Sequence, residues 1–138
     1  MTHRELAGFN EIDHTADWAV EIWAPDFAGL LVESAHAIFV LTGLRVKSEP
    51  RETRQVHLTA ADRESLLVAF LSEILYLAEQ ENLGFDMIDL TVDRYTLTAR
   101  LDGAAILSQF KEIKAVTYHN LAIRETAGRL EVTIVFDV

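Results

Sequence analysis

The sequence ends with LEVTIVFDV, residues 130–138, and this stretch has the alternation of a half-buried β-strand. Its apolar side chains occupy every second position, at Leu130, Val132, Ile134 and Phe136. The four residues before it, 126–129, include Gly128 and predict a hairpin loop. We therefore expect the last residues to form a strand that is paired through a hairpin.

Other strands are predicted from alternation and from the turns that bound them. They cover residues 9–13, 17–23, 51–58, 88–92, 95–101 and 112–119. The clearest alternation has Trp18, Val20 and Ile22 on one face of a strand. The short Asp93-Arg94 connection predicts a second hairpin between its two flanking strands.

Two helices are predicted from apolar residues at helical spacing. The first has Asp26 as its N-cap and Gly43 just beyond its end. Its apolar face consists of Phe27, Leu30, Leu31, Ala35, Ile38 and Leu41. The second follows Asp62 and has the sequence ESLLVAFLSEILYLAEQ, residues 64–80. Its wide apolar stripe predicts a central position against a sheet.

Helices and strands are mixed without regular alternation, which favours an α+β fold. We expect one compact domain over residues 1–138, with two amphipathic helices packed on a mixed or antiparallel β-sheet. There is no cysteine, so a disulfide framework and a thiolate zinc site are excluded. A secretory leader and an apolar run of roughly 20 residues are also missing. We therefore expect a cytoplasmic protein with no membrane partner.

The charge of the chain is strongly acidic, with 12 Lys and Arg against 22 Asp and Glu and a formal net charge of −10. Binding to phosphate backbones relies on Lys and Arg, so direct binding to nucleic acid is disfavoured. Divalent cations or a basic protein partner match this charge better. The alternative interpretation is that the acidity only keeps the protein soluble.

Oxygen and nitrogen ligands are concentrated in DHTAD, residues 13–17. Carboxylate oxygens of Asp13 and Asp17 suit hard cations such as Mg²⁺, Ca²⁺ or Mn²⁺. Aspartate before a strand also commonly hydrogen-bonds a turn, and that alternative stays open. The sequence contains no nucleotide-binding glycine motif, no HExxH and no nucleophile elbow.

A second group of oxygen ligands lies at the other end of the sequence. The side chain of Asp137 neighbours the α-carboxylate of Val138, and two adjacent anionic groups can bind one cation. A terminal strand that is central in its sheet and lies beside an N-terminal strand would bring Asp17 to Asp137. The alternative is an edge strand that simply stops.

DHTAD, the leucine-rich second helix, EIKAVTYH and the closing VFDV together resemble the archease family, in order from Asp13 to Val138. The resemblance implies a non-enzymatic protein that activates an RtcB-type RNA ligase. Such a partner joins RNA ends in tRNA splicing and RNA repair, and the archease promotes its guanylylation and multiple turnover. RNA would then be contacted only indirectly, through the ligase.

The resemblance also implies a calcium-like divalent cation site, with Mg²⁺ or Mn²⁺ as alternatives. Its ligands would be Asp17, Asp137 and Val138, while Asp13 and His14 would orient them by hydrogen bonding. Lys114 would balance the acidic cluster or contact a nucleotide phosphate, or else form a surface ion pair.

Two other functions are compatible with these residues. One is a chaperone-like specificity modulator of a tRNA-modifying enzyme. The other is a metal-dependent phosphohydrolase, although two-metal chemistry needs more ligands than the sequence offers. The chain departs from the family pattern at Trp18-Ala19, where Ile-Gly is usual. Residues 102–110 are also shorter and less basic than the corresponding family segment, which bears on partner binding.

Overall fold

Two antiparallel β-sheets and two α-helices make up the computed structural model, which describes residues 6–12 and 17–138. The elements in chain order are β1 (Gly8–Ile12), β2 (Trp18–Ala24), α1 (Phe27–Leu41), β3 (Arg45–Val46), β4 (Glu52–Thr59), α2 (Arg63–Glu81), β5 (Leu83–Asp93), β6 (Thr96–Ser108), β7 (Ala115–Val116), β8 (Arg124–Thr126) and β9 (Arg129–Asp137).

The first sheet is built around β9, which pairs with β2 on one side and with β7 and β8 on the other. β1 pairs with the outer side of β2. The predicted hairpin loop is confirmed: β8 and β9 are joined by Ala127 and Gly128, both with positive φ. Two residues with positive φ match the twist of antiparallel strands, which explains the glycine at this turn. The last strand is therefore central in its sheet.

In the second sheet, β6 pairs with β3, β4 and β5. The predicted hairpin between β5 and β6 is confirmed, but its loop residues are Arg94 and Tyr95, because Asp93 still pairs with Thr96. Arg94 has a φ of 55°. β6 continues to Ser108, through residues 103–108, whose weak pattern predicted no strand. The close approach of β5 and β6 accounts for the glycine at position 103. A Cβ on Gly103 would lie 1.8 Å from the carbonyl oxygen of Gly84 on β5. The strands approach too closely at this point for any side chain.

The two predicted helices are confirmed together with their N-caps. The Asp26 carboxylate accepts a hydrogen bond from the Gly29 amide at 2.7 Å, and Asp62 accepts one from Ser65 at 2.7 Å. These side chains satisfy amide groups that have no partner within the first turn. Gly43 follows the C-terminus of α1 with a φ of 68°, as a glycine after a helix often does.

Both helices link the sheets through one continuous apolar core. α1 contacts β1, β2, β5 and β9, while α2 contacts β4, β5, β6 and β7. The largest fully buried side chains come from both helices and both sheets: Phe70, Phe136, Ile22, Leu30, Leu31, Leu66, Leu67, Leu71, Leu97, Leu101, Ile134 and Val20. The predicted α+β class is thus confirmed, with the strands divided between two sheets.

One strand prediction is wrong in extent. Within EIKAVTYH only Ala115 and Val116 pair as β7, and the residues on either side are irregular. The segment instead packs its buried Ile113 against the core while Lys114 and Ala115 are exposed. Among the described residues, no helix combines the length and apolar character that crossing a membrane requires.

Candidate metal and partner site

The predicted ligands converge where β2 begins and β9 ends. The antiparallel register pairs Trp18 with Phe136, and the next positions in that register are Asp17 and Asp137. Asp137 is the last residue of β9, and Val138 follows it. Residues opposite each other on neighbouring antiparallel strands have Cβ atoms about 5 Å apart. The two aspartates are therefore neighbours at one end of the first sheet, which we call the carboxylate tip: Asp17, Asp137 and Val138.

Strand alternation directs the carboxylate tip away from the core. Trp18 and Phe136 are almost fully buried on the face that contacts the helices. Asp137 neighbours Phe136 in sequence and so projects from the opposite face, where it is exposed. Asp17 is partly buried. Asp137 is thus exposed to solvent and Asp17 partly so, while Trp18 and Phe136 next to them are fixed in the core.

Trp18 supports this end of the sheet through three side chains. Its ring lies 5.9 Å from that of Phe136, and its indole N–H donates a hydrogen bond to the Glu11 carboxylate. The Lys111 ammonium lies 4.5 Å from the centre of the Trp18 ring, in the geometry of a cation–π contact. These contacts fix the residue that directly follows Asp17.

Sequence reasoning did not identify Glu11 or Lys111 as parts of this site. Glu11 belongs to the same octet as Trp18, EIDHTADW, and its presence beside the indole follows from the β1–β2 pairing. No local signal points to Lys111, which is distant in sequence and arrives through the segment between β6 and β7. Only the tertiary structure brings it to the tryptophan.

Lys114 adjoins the carboxylate tip through its backbone. Its amide donates a hydrogen bond to the Asp137 carbonyl oxygen at 2.7 Å, and β7 then pairs Ala115 with Asp137. The side chain of Lys114 is exposed. The role of the Lys114 ammonium beside the acidic cluster therefore stays a prediction.

Two of the predicted residues, Asp13 and His14, lie outside the described residues, so their proposed orienting role stays a prediction. His119, which we interpreted as a strand histidine, instead lies in an exposed turn. Its amide donates to the Thr117 hydroxyl at 3.2 Å, and its ring lies 3.3 Å from the Asn120 amide nitrogen.

The oxygen-rich donor set fits a hard divalent cation in part. Ca²⁺ takes about six to eight oxygen ligands and Mg²⁺ about six, often with waters among them. Within residues 6–12 and 17–138 no three His, Asp or Glu side chains are grouped so that they could hold a metal ion. Asp17 and Asp137 would supply carboxylate oxygens, and the α-carboxylate of Val138 would be a third group. The metal site therefore stays a prediction.

A cleft of about 600 Å³ opens beside the carboxylate tip. It lies between the C-terminal halves of α1 and α2, and residues 112–116 form one of its walls. Lys114 lines the cleft while its backbone holds Asp137, so the tip and the cleft share a wall.

These features define a small α+β protein with an acidic, oxygen-rich end formed by its last strand. A sequence model described as the Archease protein family (MTH1598/TM1083) matches residues 9–138. The chain therefore belongs to the archease family.

Similar proteins share nearly their whole length with this chain. Protein archease of Methanopyrus kandleri is 30% identical over 138 residues, which cover 94% of this chain and 99% of the relative. Protein archease of Methanosarcina barkeri is 32% identical over 139 residues, which cover 94% of this chain and 95% of the relative.

Two solved structures have the same fold. The solution structure of Protein 1598 of Methanobacterium thermoautotrophicum has a TM-score of 0.73 and 25% identity, covering 95% of this chain and 99% of that chain. The crystal structure of a Thermotoga maritima protein, described as an archease and "possible chaperone", has a TM-score of 0.71 and 22% identity, covering both chains completely. At that identity the second likeness concerns the fold alone.

Proposed function

We propose that this protein binds a divalent cation at the carboxylate tip and activates an RtcB-type RNA ligase without being an enzyme itself. The observation that carries the proposal is the β2–β9 register, in which the positions after the Trp18–Phe136 pair are Asp17 and Asp137. This register supports the proposal because it brings two aspartates from distant parts of the sequence to the same end of one sheet, where Asp137 is exposed to a partner.

The cation is proposed to be Ca²⁺, with Mg²⁺ and Mn²⁺ as alternatives. Asp17 and Asp137 would hold it with their carboxylates, together with the α-carboxylate of Val138. Asp13 and His14 would orient these groups by hydrogen bonding. Such a cation would neutralise phosphate charge during guanylylation of the ligase.

The partner is proposed to be a protein with a basic active-site mouth. The chain carries a formal net charge of −10, and charge of that sign attracts a cationic surface and accelerates encounter. Asp137 is exposed at the end of its strand, so it can enter a recess without local unfolding. Lys114 stands beside it and would contact a nucleotide phosphate in the complex.

The decisive experiment is a guanylylation and turnover assay with the ligase limiting, in the presence and absence of this protein. We expect wild type to accelerate guanylylation and to permit multiple turnovers. Asp137→Asn should remove the acceleration, while its circular dichroism spectrum stays that of wild type. Asp89→Asn is the matched control, since it removes an exposed β-strand aspartate from the other sheet and should stimulate normally.

Full stimulation by Asp137→Asn would contradict the proposed tip. An extension of a few residues beyond Val138 gives an independent test, because it converts the α-carboxylate into an amide. We expect the extended protein to stimulate less, while the same extension at the N-terminus has no effect. Equal activity of the two extended proteins would remove Val138 from the proposed ligand set.

A second candidate function is that of a chaperone-like specificity modulator of a tRNA-modifying enzyme. It is favoured by several exposed apolar side chains, among them Phe110, Leu107 and Tyr76, which are 84%, 58% and 56% exposed. Affinity for a tRNA methyltransferase, with none for the ligase, would favour this function over ligase activation.

A further inference from the structure

The cleft beside the carboxylate tip has the character of a binding groove. Its volume of about 600 Å³ falls within the range of roughly 300–1,000 Å³ that is usual for binding clefts. Apolar side chains from both helices, from β5 and from the 112–116 wall line it, among them Ile38, Phe39, Leu75, Ile88, Ile113 and Val116. Tyr76 also lines the cleft and is 56% exposed.

The aromatic side chain of Phe110 is exposed to solvent next to this cleft. Phe110 is 84% exposed, and one side of its ring covers Gly43, where an added Cβ would lie 2.2 Å from a ring carbon. The backbone beneath it is anchored, since the amides of Phe110 and Lys111 both donate to the Thr42 carbonyl oxygen, at 3.1 and 3.3 Å. An anchored and exposed aromatic ring loses little freedom on binding, which favours it as a contact residue.

The charges around the cleft favour a basic partner. Glu79 and Glu112 line it, and the carboxylate tip continues on the far side of Lys114. Lys114 is a cation on the same rim, and Lys111 lies over Trp18 at the tip. The carboxylates of Glu79, Glu112 and the carboxylate tip outnumber these two cations, so the rim and tip together carry an excess of negative charge. An apolar groove of this kind recognises a segment with apolar side chains in its middle and lysine or arginine at its flanks.

We propose that this cleft, together with Phe110, binds an apolar segment of the ligase that is flanked by Lys or Arg. This inference rests on the proposed function, since it assigns the same partner to a second surface. The carboxylate tip and the cleft then form one continuous interface, and residues 112–116 are the wall that they share. The cleft holds the partner, and the tip reaches the ligase active site.

Two variants test the cleft without disturbing the core. Phe110→Ser removes the exposed ring, and Ser72→Arg adds bulk and positive charge to the exposed rim of α2. Tyr95→Ser is the matched control: it removes an exposed tyrosine from the turn between β5 and β6, beyond the end of β5 that lies away from the cleft. Circular dichroism and thermal unfolding establish that each variant is folded.

Affinity for the purified ligase is measured by isothermal titration calorimetry, without RNA. We expect Phe110→Ser and Ser72→Arg each to bind about tenfold more weakly than wild type or worse, the first through loss of an aromatic contact and the second through obstruction of the cleft. The concentration for half-maximal stimulation should rise by the same factor. Tyr95→Ser should bind like wild type.

The failures of the two proposals are distinguishable. If wild type stimulates the ligase and both cleft variants bind with unchanged affinity, the cleft inference is overturned while ligase activation stands. If wild type neither binds nor stimulates the ligase, both proposals fall. If sedimentation shows that wild type self-associates and Phe110→Ser does not, the cleft binds a second copy of this chain and the inference is again overturned.

Discussion

Trp18 stands directly opposite Phe136 across β2 and β9, with ring centroids 5.9 Å apart and ring planes inclined by 48°. The tryptophan is 5% exposed and the phenylalanine 1%. Aromatic pairs in this tilted arrangement add to the stability that burial alone supplies. The pair packs the beginning of β2 against the end of β9. The residues just beyond the pair are Asp17 and Asp137.

Trp18→Ala should weaken both the fold and the carboxylate tip. Removing a buried tryptophan costs roughly 3–5 kcal/mol of unfolding free energy, through lost burial and the cavity left behind. The same change releases the position of Asp17, so affinity for Ca²⁺ or Mn²⁺ should fall as well. Urea unfolding measures the first effect and calorimetric metal titration the second.

Trp23→Ala is the matched control for this variant. Trp23 lies at the other end of β2 and is also buried, at 6% exposure. We expect a comparable loss of unfolding free energy with metal affinity unchanged in the folded protein. Equal losses of metal affinity in both variants would show that Trp18 acts only through overall stability.

Metal binding should stabilise the folded protein. A ligand that binds only the native state at 100 times its dissociation constant adds about 2.7 kcal/mol to the unfolding free energy. Thermal unfolding of wild type should therefore shift upward with millimolar Ca²⁺ or Mn²⁺, and EDTA should reverse the shift. Asp17→Asn and Asp137→Asn should each remove most of it. A shift of the same size in either variant would place the cation elsewhere.

Gly103→Ala should strongly destabilise the second sheet. A Cβ at this position would lie 1.8 Å from the Gly84 carbonyl oxygen, so β5 and β6 must separate. We expect a loss of about 3 kcal/mol, the upper part of the usual range for overpacking. Gly128→Ala meets no atom within 4 Å but requires a φ of 78°, which costs about 1–2 kcal/mol. Urea unfolding should rank the two variants in this order.

Stability should fall in acid partly through the Arg51–Asp86 pair. The guanidinium donates hydrogen bonds of 3.1 and 2.5 Å to the Asp86 carboxylate and holds its pKa below the ordinary value. A lowered pKa in the folded state stabilises the protein above the unfolded value of about 3.9, and this stabilisation is lost as the pH falls through the folded pKa.

Asp86→Asn should therefore melt at a slightly lower temperature than wild type at pH 7. The difference should shrink as the pH falls below about 4, and 1 M NaCl should also reduce it, because the pair is partly exposed. A melting difference between Asp86→Asn and wild type that is the same from pH 7 to pH 2 would contradict the role assigned to the pair.

The helices and tight turns could be predicted from the sequence because their determinants are local. Asp26 and Asp62 cap amides three residues away, and Gly128 supplies the backbone geometry of its own turn. The alternation of β2 and β9 likewise predicted that Val20 and Ile134 are buried, which is confirmed. Ala19, Trp23 and Val135, on the opposite faces of these strands, are buried as well, which alternation did not predict.

The prediction was less successful for residues 103–119. The β6 strand continues through Gly103 because β5 lies against it, and a weak apolar pattern does not reveal that partner. EIKAVTYH alternates like a strand, yet only Ala115 and Val116 pair in register with β9. The amides of Lys114 and Thr117 also donate to β9, but the regular ladder does not continue beyond these residues. Alternation shows that a segment is able to pair, and the partner decides whether it does.

The sequence by itself determined the secondary structure types, the caps, the acidic charge and the residue types at both ends of the chain. Only the tertiary structure decided that β2 lies beside β9, that Asp17 therefore neighbours Asp137, and that a cleft opens next to them. The physical reason is that caps and periodicity act over a few residues. Strand pairing instead joins distant segments, through the burial of one face against a common core.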